Sequence, residues 1–372
     1  MRLGVPKEIK TLEARVGMTP DAVQELTRLG HSVRVETTAG DGVDFSDDAY
    51  RAAGAEIVAT AEEAFDADLI IKVKEPQQQE IKRLKPHQTL FTYLHLAADK
   101  AQAEALGESG AWAIAYETVT GEQGGLPLLR PMSEVAGRMS VQVGARCLER
   151  SAGGRGVLLG GVPGVAAAEV VILGGGVSGF NAAQMAVGMH AHVTLFDTSL
   201  NRLSELDTLF ENQVQTVFST KGAIAEAVKT ADLVIGAVLI PGDAAPKLIT
   251  RDMLATMKPG AVLVDIAIDQ GGCFETSHPT THNDPFFVVD GIVHYCVANM
   301  PGAVPRTSTF ALSNRTLPFI IALATHGREE VLRRDRHLRA GLNVANGQIT
   351  HDAVARALGM SFTPADSLLG TG

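Results

Sequence analysis

Residues 170–183, VVILGGGVSGFNAA, limit the fold more tightly than any other stretch of the chain. An apolar run fit for a core strand breaks into Gly174-Gly175-Gly176 and closes, after Val177 and Ser178, on Gly179. Glycine has the most backbone freedom to lose on folding and weakens strand and helix interiors. Its concentration here points to a turn that something approaches closely. Gly174, Gly176 and Gly179 fit G-x-G-x-x-G, a weak signal alone, but its context agrees. An apolar strand precedes it, an alanine-rich helical pattern follows, and Asp197 ends the next strand-like segment, HVTLFD, roughly 20 residues on. Gly174 permits the tight turn, Gly176 lets a pyrophosphate reach the backbone, and Gly179 lets helix and strand pack closely. The helix N-terminus offers unpaired N–H groups to the phosphates. Asp197 is placed to accept from ribose hydroxyls and to repel a 2′-phosphate, with Arg202 the only basic residue nearby. This favours NAD over NADP.

The same strand–helix alternation runs on both sides of this motif. RLGVP, HSVRVET, DLIIKVKEP, QTLFTYLHL and WAIAYETV read as strands. TPDAVQELTRLG reads as a helix with Thr19 as N-cap, Pro20 in the first turn and Gly30 as stop. A long helical pattern over 133–150 bridges to a second alternation that continues to about residue 300. Another helical pattern covers 307–326, and the tail beyond 330 reads as mostly helical. The expected fold is α/β: two doubly wound domains, one a Rossmann dinucleotide-binding domain, joined by long helices. The boundaries expected are 1–132 plus 305–372 for a discontinuous substrate domain and 133–304 for the NAD-binding domain.

A net charge of −10 speaks against nucleic-acid or anionic-membrane partners, which want a basic face. The N-terminal MRLGVPKEIK lacks the apolar core of a signal peptide, and glycines, Pro163 and Glu169 interrupt the most apolar stretch, 157–183. A cytoplasmic protein is expected. Cys147, Cys273 and Cys296 show no C-x-x-C spacing, so neither a disulfide framework nor a structural zinc site is expected.

Ligands of parallel α/β sheets sit at the carboxyl ends of the strands. Four ionisable residues fall there: Arg15 after the first strand, Lys74 at the end of DLIIKVK, His95 at the end of QTLFTYLHL, and Asp269 at the end of VLVDIAID. Lys72, two positions before Lys74, is a decoy on the same face. Arginine grips a carboxylate with two parallel hydrogen bonds and lysine adds a point charge. Histidine exchanges protons near neutral pH. The group suits a small anionic substrate.

MRLGVPKEIKTLEARVGMTP, IIKVKEP, LFTYLHLA, GGRGVLLGGVPGV, VVILGGGVSGFNAAQMAVGM, VDIAIDQGGCFETS and VANMPGAVPRTST together resemble the alanine dehydrogenase family. That NAD-dependent family is itself similar to the first domain of proton-translocating transhydrogenase. The resemblance covers nearly the whole chain. It implies reversible oxidative deamination of L-alanine to pyruvate and ammonium. Arg15 and Lys74 then hold the substrate, and His95 and Asp269 do the acid–base work. It implies NAD contacts from Ser133, Asp197, Arg202, Ser219, Val238, Leu239, the run Ile266, Ala267, Ile268 and Asp269, and the run Val297, Ala298, Asn299 and Met300. It also implies a homohexamer. Gly175 stands where the family often has alanine. Glu117 and His326 match positions associated with a divalent ion in some members; two ligands are too few, and no metal is expected. The alternatives are a transhydrogenase-type nucleotide-binding subunit, which needs a membrane partner and no substrate pocket, a related small amino-acid dehydrogenase, and a redox-sensing NAD-binding protein without turnover.

Overall fold

A computed structural model describes residues 1–238 and 245–369. The chain begins with strands β1 (Arg2–Val5), β2 (Ser32–Glu36), β3 (Glu56–Val58), β4 (Leu69–Ile71), β5 (Thr89–Thr92) and β6 (Trp112–Ala115). It continues through β7 (Glu169–Leu173), β8 (His192–Asp197), β9 (Val214–Phe218), β10 (Leu233–Gly236), β11 (Val262–Asp265), β12 (Phe286–Val289) and β13 (Ile292–Tyr295). It closes with β14 (Leu342–Ala345) and β15 (Gln348–Ile349). These form two compact units, one of Met1–Met132 with Val304–Gly372 and one of Ser133–Ala303.

In the first unit the strand order is β15-β14-β6-β5-β4-β1-β2-β3. The strands from β6 to β3 run parallel, and β14 pairs antiparallel with β6. Alternate residues feed two cores. Leu3, Val5, Leu69, Ile71, Phe91 and Ile114 pack with the helices Pro20–Arg28 and Pro305–His326. Ile70, Leu90 and Ala113 pack with Leu84, Leu106 and Val354 on the other face. Burial on both faces is what a near-continuous apolar strand such as Leu69–Ile71 requires. Thr19 caps Pro20–Arg28 by accepting from Ala22 N, and Gly30 follows with φ 83°.

The second unit has the order β12-β13-β11-β10-β7-β8-β9, with only β12 antiparallel. In each unit the chain winds first to one side of its opening strand and then to the other. The reversal lies between β1 and β4 in one sheet and between β7 and β10 in the other, and such a point opens a crevice at the strand ends.

Two hairpins depart from the expected pattern. The tail holds β14 and β15 as well as helices, and β12–β13 adds an antiparallel edge before residue 300. Both turns carry a residue with positive φ followed by glycine: Asn346 (50°) with Gly347 (81°), and Asp290 (49°) with Gly291 (80°). These are the Asn-Gly and Asp-Gly signals of two-residue hairpins.

Candidate active site

Arg15 and Lys74 follow β1 and β4, the two strands that flank the first unit's reversal. Arg15 is only 2% exposed. Its Nε donates to Glu13 Oε1 at 2.7 Å, its Nη2 to Glu13 Oε2 at 2.6 Å, and its Nη1 to Met132 Sδ at 3.1 Å. Burial alone would push the Glu13 carboxyl up; the Arg15 hydrogen bonds and charge outweigh it and hold the carboxyl below its ordinary value. Lys74 lies past the strand rather than within it. Its ammonium is 3.8 Å from Glu75, and its carbonyl accepts from Thr92 Oγ1 at 2.9 Å. Lys72 is wholly buried, bonded to Glu8 at 3.0 Å and Glu80 at 2.8 Å, so it serves the core. Glu8 also accepts from Val73 N at 2.7 Å, pinning the segment that carries Lys74.

His95 follows β5, the next strand, and is exposed. Its backbone is left-handed, φ 52°, which residues with a β-carbon rarely adopt. Its ring lies nearly parallel to that of Tyr93, 12° between planes and 5.9 Å between centroids. Tyr93 is fixed by donating to Leu128 O at 2.7 Å. Glu117, considered above as half of an ion site, accepts from the backbone of Leu94 and His95. Among the described residues no group of three or more histidine, cysteine or acidic side chains could hold a metal ion.

The glycine turn of the second unit is built for close approach. Gly174 has φ 101°, and a β-carbon there would lie 2.8 Å from Ala237 O. At Gly179 a β-carbon would lie 1.8 Å from Gly174 O, so only glycine lets the helix Val177–Gly188 meet β7. At Gly176 it would meet nothing within 4 Å, and no side chain caps the helix there. Open space and helix N–H groups thus coincide at Gly176, the combination that anion binding at a helix N-terminus requires. Asp197 ends β8 as expected. Its Oδ2 accepts from Gly175 N at 2.7 Å and its Oδ1 from Ser199 N at 2.8 Å, so the carboxylate also braces the turn. Arg202 Nε donates to Gly175 O at 2.7 Å, and Ser219 N donates to Asp197 O at 2.9 Å. Val238 follows β10 across the reversal, while Leu239 lies outside the described residues.

The segment carrying Asp269 departs from the expected strand. β11 stops at Asp265, whose carboxylate accepts from Ala267 N at 3.1 Å and turns the chain into the 3₁₀ helix Ile266–Gln270. Asp269 sits exposed in that turn rather than at a strand end. Asp265, missed in the sequence, is buried and also accepts from Cys273 N at 2.9 Å and Ser277 Oγ at 2.6 Å. Burial outweighs these donors and leaves its carboxyl above the ordinary value. Further along, Asn299 has φ 60° and its carbonyl accepts from Gly302 N at 2.9 Å, while Val297 and Met300 are buried beside it in sequence. Ser133 opens the second unit within the helix Arg130–Cys147. The three cysteines are buried thiols; burial pushes Cys147 up to about 11 and Cys296 up to about 12, so neither is a ready nucleophile.

Residues 4–136 match the family description "Alanine dehydrogenase/PNT, N-terminal domain" and residues 140–352 match "Alanine dehydrogenase/PNT, C-terminal domain". An alanine dehydrogenase from Halomonas elongata is 59% identical, covering 100% of both chains. One from Bacillus subtilis is 54% identical, covering 99% of this chain and 98% of its own. A solved L-alanine dehydrogenase structure superposes with a TM-score of 0.94 at 52% identity, over 96% of this chain and 99% of that one. A transhydrogenase structure from Sinorhizobium meliloti gives 0.81 at 26% identity, over 95% and 100%.

Proposed function

The chain belongs to the alanine dehydrogenase/PNT family, and from that premise we propose that it catalyses the reversible oxidative deamination of L-alanine to pyruvate and ammonium with NAD as hydride acceptor. The observation that carries the reading is the set Arg15, Lys74 and His95, each in the segment that leaves one of three neighbouring strands of one sheet, β1, β4 and β5. A subunit that only binds nucleotide has no use for it.

Gly174, Gly176, Gly179 and the start of the helix Val177–Gly188 hold the dinucleotide phosphates, and Asp197 accepts from the adenosine ribose. Ser133, Arg202, Ser219, Val238, Leu239, Ile266–Asp269 and Val297–Met300 complete its surroundings. When bound, the dinucleotide would supply the hydride acceptor for the substrate Cα, whose oxidation leaves an iminium. Arg15 holds the substrate carboxylate by a bidentate edge and Lys74 supplies a second cation beside it. His95 accepts a proton from the water that adds to the iminium carbon. His95 returns that proton to the carbinolamine nitrogen, and Asp269 accepts the hydroxyl proton as the C–N bond breaks, which leaves pyruvate and ammonia that takes up a proton as ammonium. Two positioned reactants account for much of the rate. The protein acts in the cytoplasm as a homohexamer.

Absorbance in the NADH band tests the reading, with purified protein, NAD and L-alanine at mildly alkaline pH and glycine, L-serine and L-valine in parallel. A strong rise with alanine and far weaker rises with the others is expected. No rise with any amino acid, with NADH binding intact, would leave the transhydrogenase-type nucleotide-binding subunit or the redox sensor without turnover as the reading.

A further inference from the structure

We propose that Glu117 is a positioning residue of the reaction and acts by locking the backbone of His95. The inference rests on the assignment of proton transfer to His95 and extends it to what holds that residue in place.

β5 ends at Thr92, and Tyr93 N still donates to Val73 O. The next two N–H groups have left the ladder, and Glu117 receives both. Its Oε1 lies 2.6 Å from His95 N and 3.1 Å from Leu94 N, and its Oε2 lies 3.2 Å from Leu94 N. Successive N–H groups converging in this way form an anion cradle. Here the anion is a side chain from the turn that follows the neighbouring strand. Thr92 pairs in register with Ala115, and the turn Tyr116–Thr118 then carries Glu117 alongside His95. From the opposite side Gln102 Nε2, itself buried, donates to Leu94 O at 2.9 Å. The peptide before His95 is therefore gripped at both its carbonyl and its N–H.

That grip is needed because φ at His95 is 52°. An L-residue left to itself returns to negative φ, which swings the Cα–Cβ direction and carries the imidazole away from its place over Tyr93. A displacement of about 1 Å at a reacting group can cost on the order of 100-fold in rate. Ordinary fold maintenance would not need a carboxylate that takes up the N–H groups of two successive peptides leading into His95.

The test is a double-mutant cycle on the full-length enzyme with Glu117→Ala, Glu117→Gln, His95→Ala and the combined His95→Ala/Glu117→Ala variant. Rates are read in both directions, and NADH binding is followed by fluorescence. Glu117→Ala is expected to lower kcat by about 100-fold, with KM for alanine and NADH affinity changed by less than about threefold, within the spread of independent sites. Glu117→Gln, whose amide oxygen can accept the same bonds, is expected to recover most of that loss. The combined variant is expected to be no slower than His95→Ala alone. The proposal is overturned if Glu117→Ala turns over normally, if Gln restores nothing, or if alanine at 117 slows the His95→Ala enzyme by its full factor. Near-normal turnover of His95→Ala would instead sink the assignment of His95, and this proposal with it. Should Glu117→Ala not fold, Glu117→Asp, whose shorter side chain keeps the charge but falls short of the two N–H groups, takes its place in the cycle: a kcat deficit that vanishes in the His95→Ala background supports the proposal, and one that persists there, or a normal kcat, refutes it.

Discussion

Glu13 closes one edge of the Arg15 guanidinium, 2.7 Å from Nε and 2.6 Å from Nη2, with both side chains almost wholly buried. The pair fixes the plane of the fork before any substrate arrives. Lysine at position 15 keeps the charge but not the planar fork. Arg15→Lys is therefore expected to raise KM for alanine and pyruvate by about tenfold or more, the worth of one charge-assisted hydrogen bond. Its kcat should change less. Steady-state kinetics in both directions decide it; unchanged KM values would remove Arg15 from the substrate site.

The same pair sets a pH dependence. Arg15 holds the folded-state carboxyl of Glu13 below its ordinary value of 4.5. A depressed carboxyl contributes stability that is present above the unfolded value and is lost as pH falls through the folded one. Glu13→Gln cannot make that contribution at any pH. The urea midpoint of the variant should lie below that of the parent at pH 7, and the gap should close as pH drops below 4.5. A gap that stays constant down to pH 3 would mean that an ionised Glu13 is not what stabilises this loop.

Gly176 and Gly179 belong to one motif but do different work. A β-carbon at 179 would collide with Gly174 O, whereas at 176 it would meet only open space. Gly179→Ala is expected to lower thermal stability and abolish NADH binding together. Gly176→Ala is expected to keep the melting temperature and weaken NADH binding by about tenfold, because the methyl intrudes only where phosphate approaches. Equal losses of stability in the two variants would contradict this division.

What the sequence made legible was local. The glycine turn, Asp197 at the end of β8 and the apolar strands before Lys74 and His95 all depend on residues near each other in the chain. The Glu13–Arg15 pair was not legible, because two residues in one loop announce neither their mutual geometry nor their burial. Glu117 stands out in the sequence only as a position that some family members associate with an ion, with no metal expected there, since its contact with His95 exists only once β5 and β6 pair in register. Asp269 was placed on a strand because VDIAID alternates like one; the pattern cannot show that the Asp265 side chain bonds Ala267 N and diverts the backbone. The hairpins differ: Asn346-Gly347 and Asp290-Gly291 are local turn signals, but they lie in segments whose wider pattern reads as helical or as part of the parallel alternation.

The position of Asp197 yields a prediction on cofactor choice. Its carboxylate is bonded to Gly175 N and Ser199 N, and Arg202 reaches the carbonyl of the same Gly175. A negative charge and a cation thus brace one residue, Gly175, through the two peptides that flank it. A 2′-phosphate brought to Asp197 meets a like charge, whose juxtaposition is strongly unfavourable. Asp197→Asn keeps an oxygen for Gly175 N, removes the charge and leaves Arg202 in place. The ratio of kcat/KM for NADH over NADPH should fall by about tenfold or more, corresponding to one charge-assisted contact. Adding Arg202→Ala should take back whatever NADPH activity is gained, because the remaining cation is then gone. An unchanged ratio in Asp197→Asn would show that discrimination against the 2′-phosphate lies elsewhere in the turn, and a double variant as active with NADPH as the single one would clear Arg202 of any part in it.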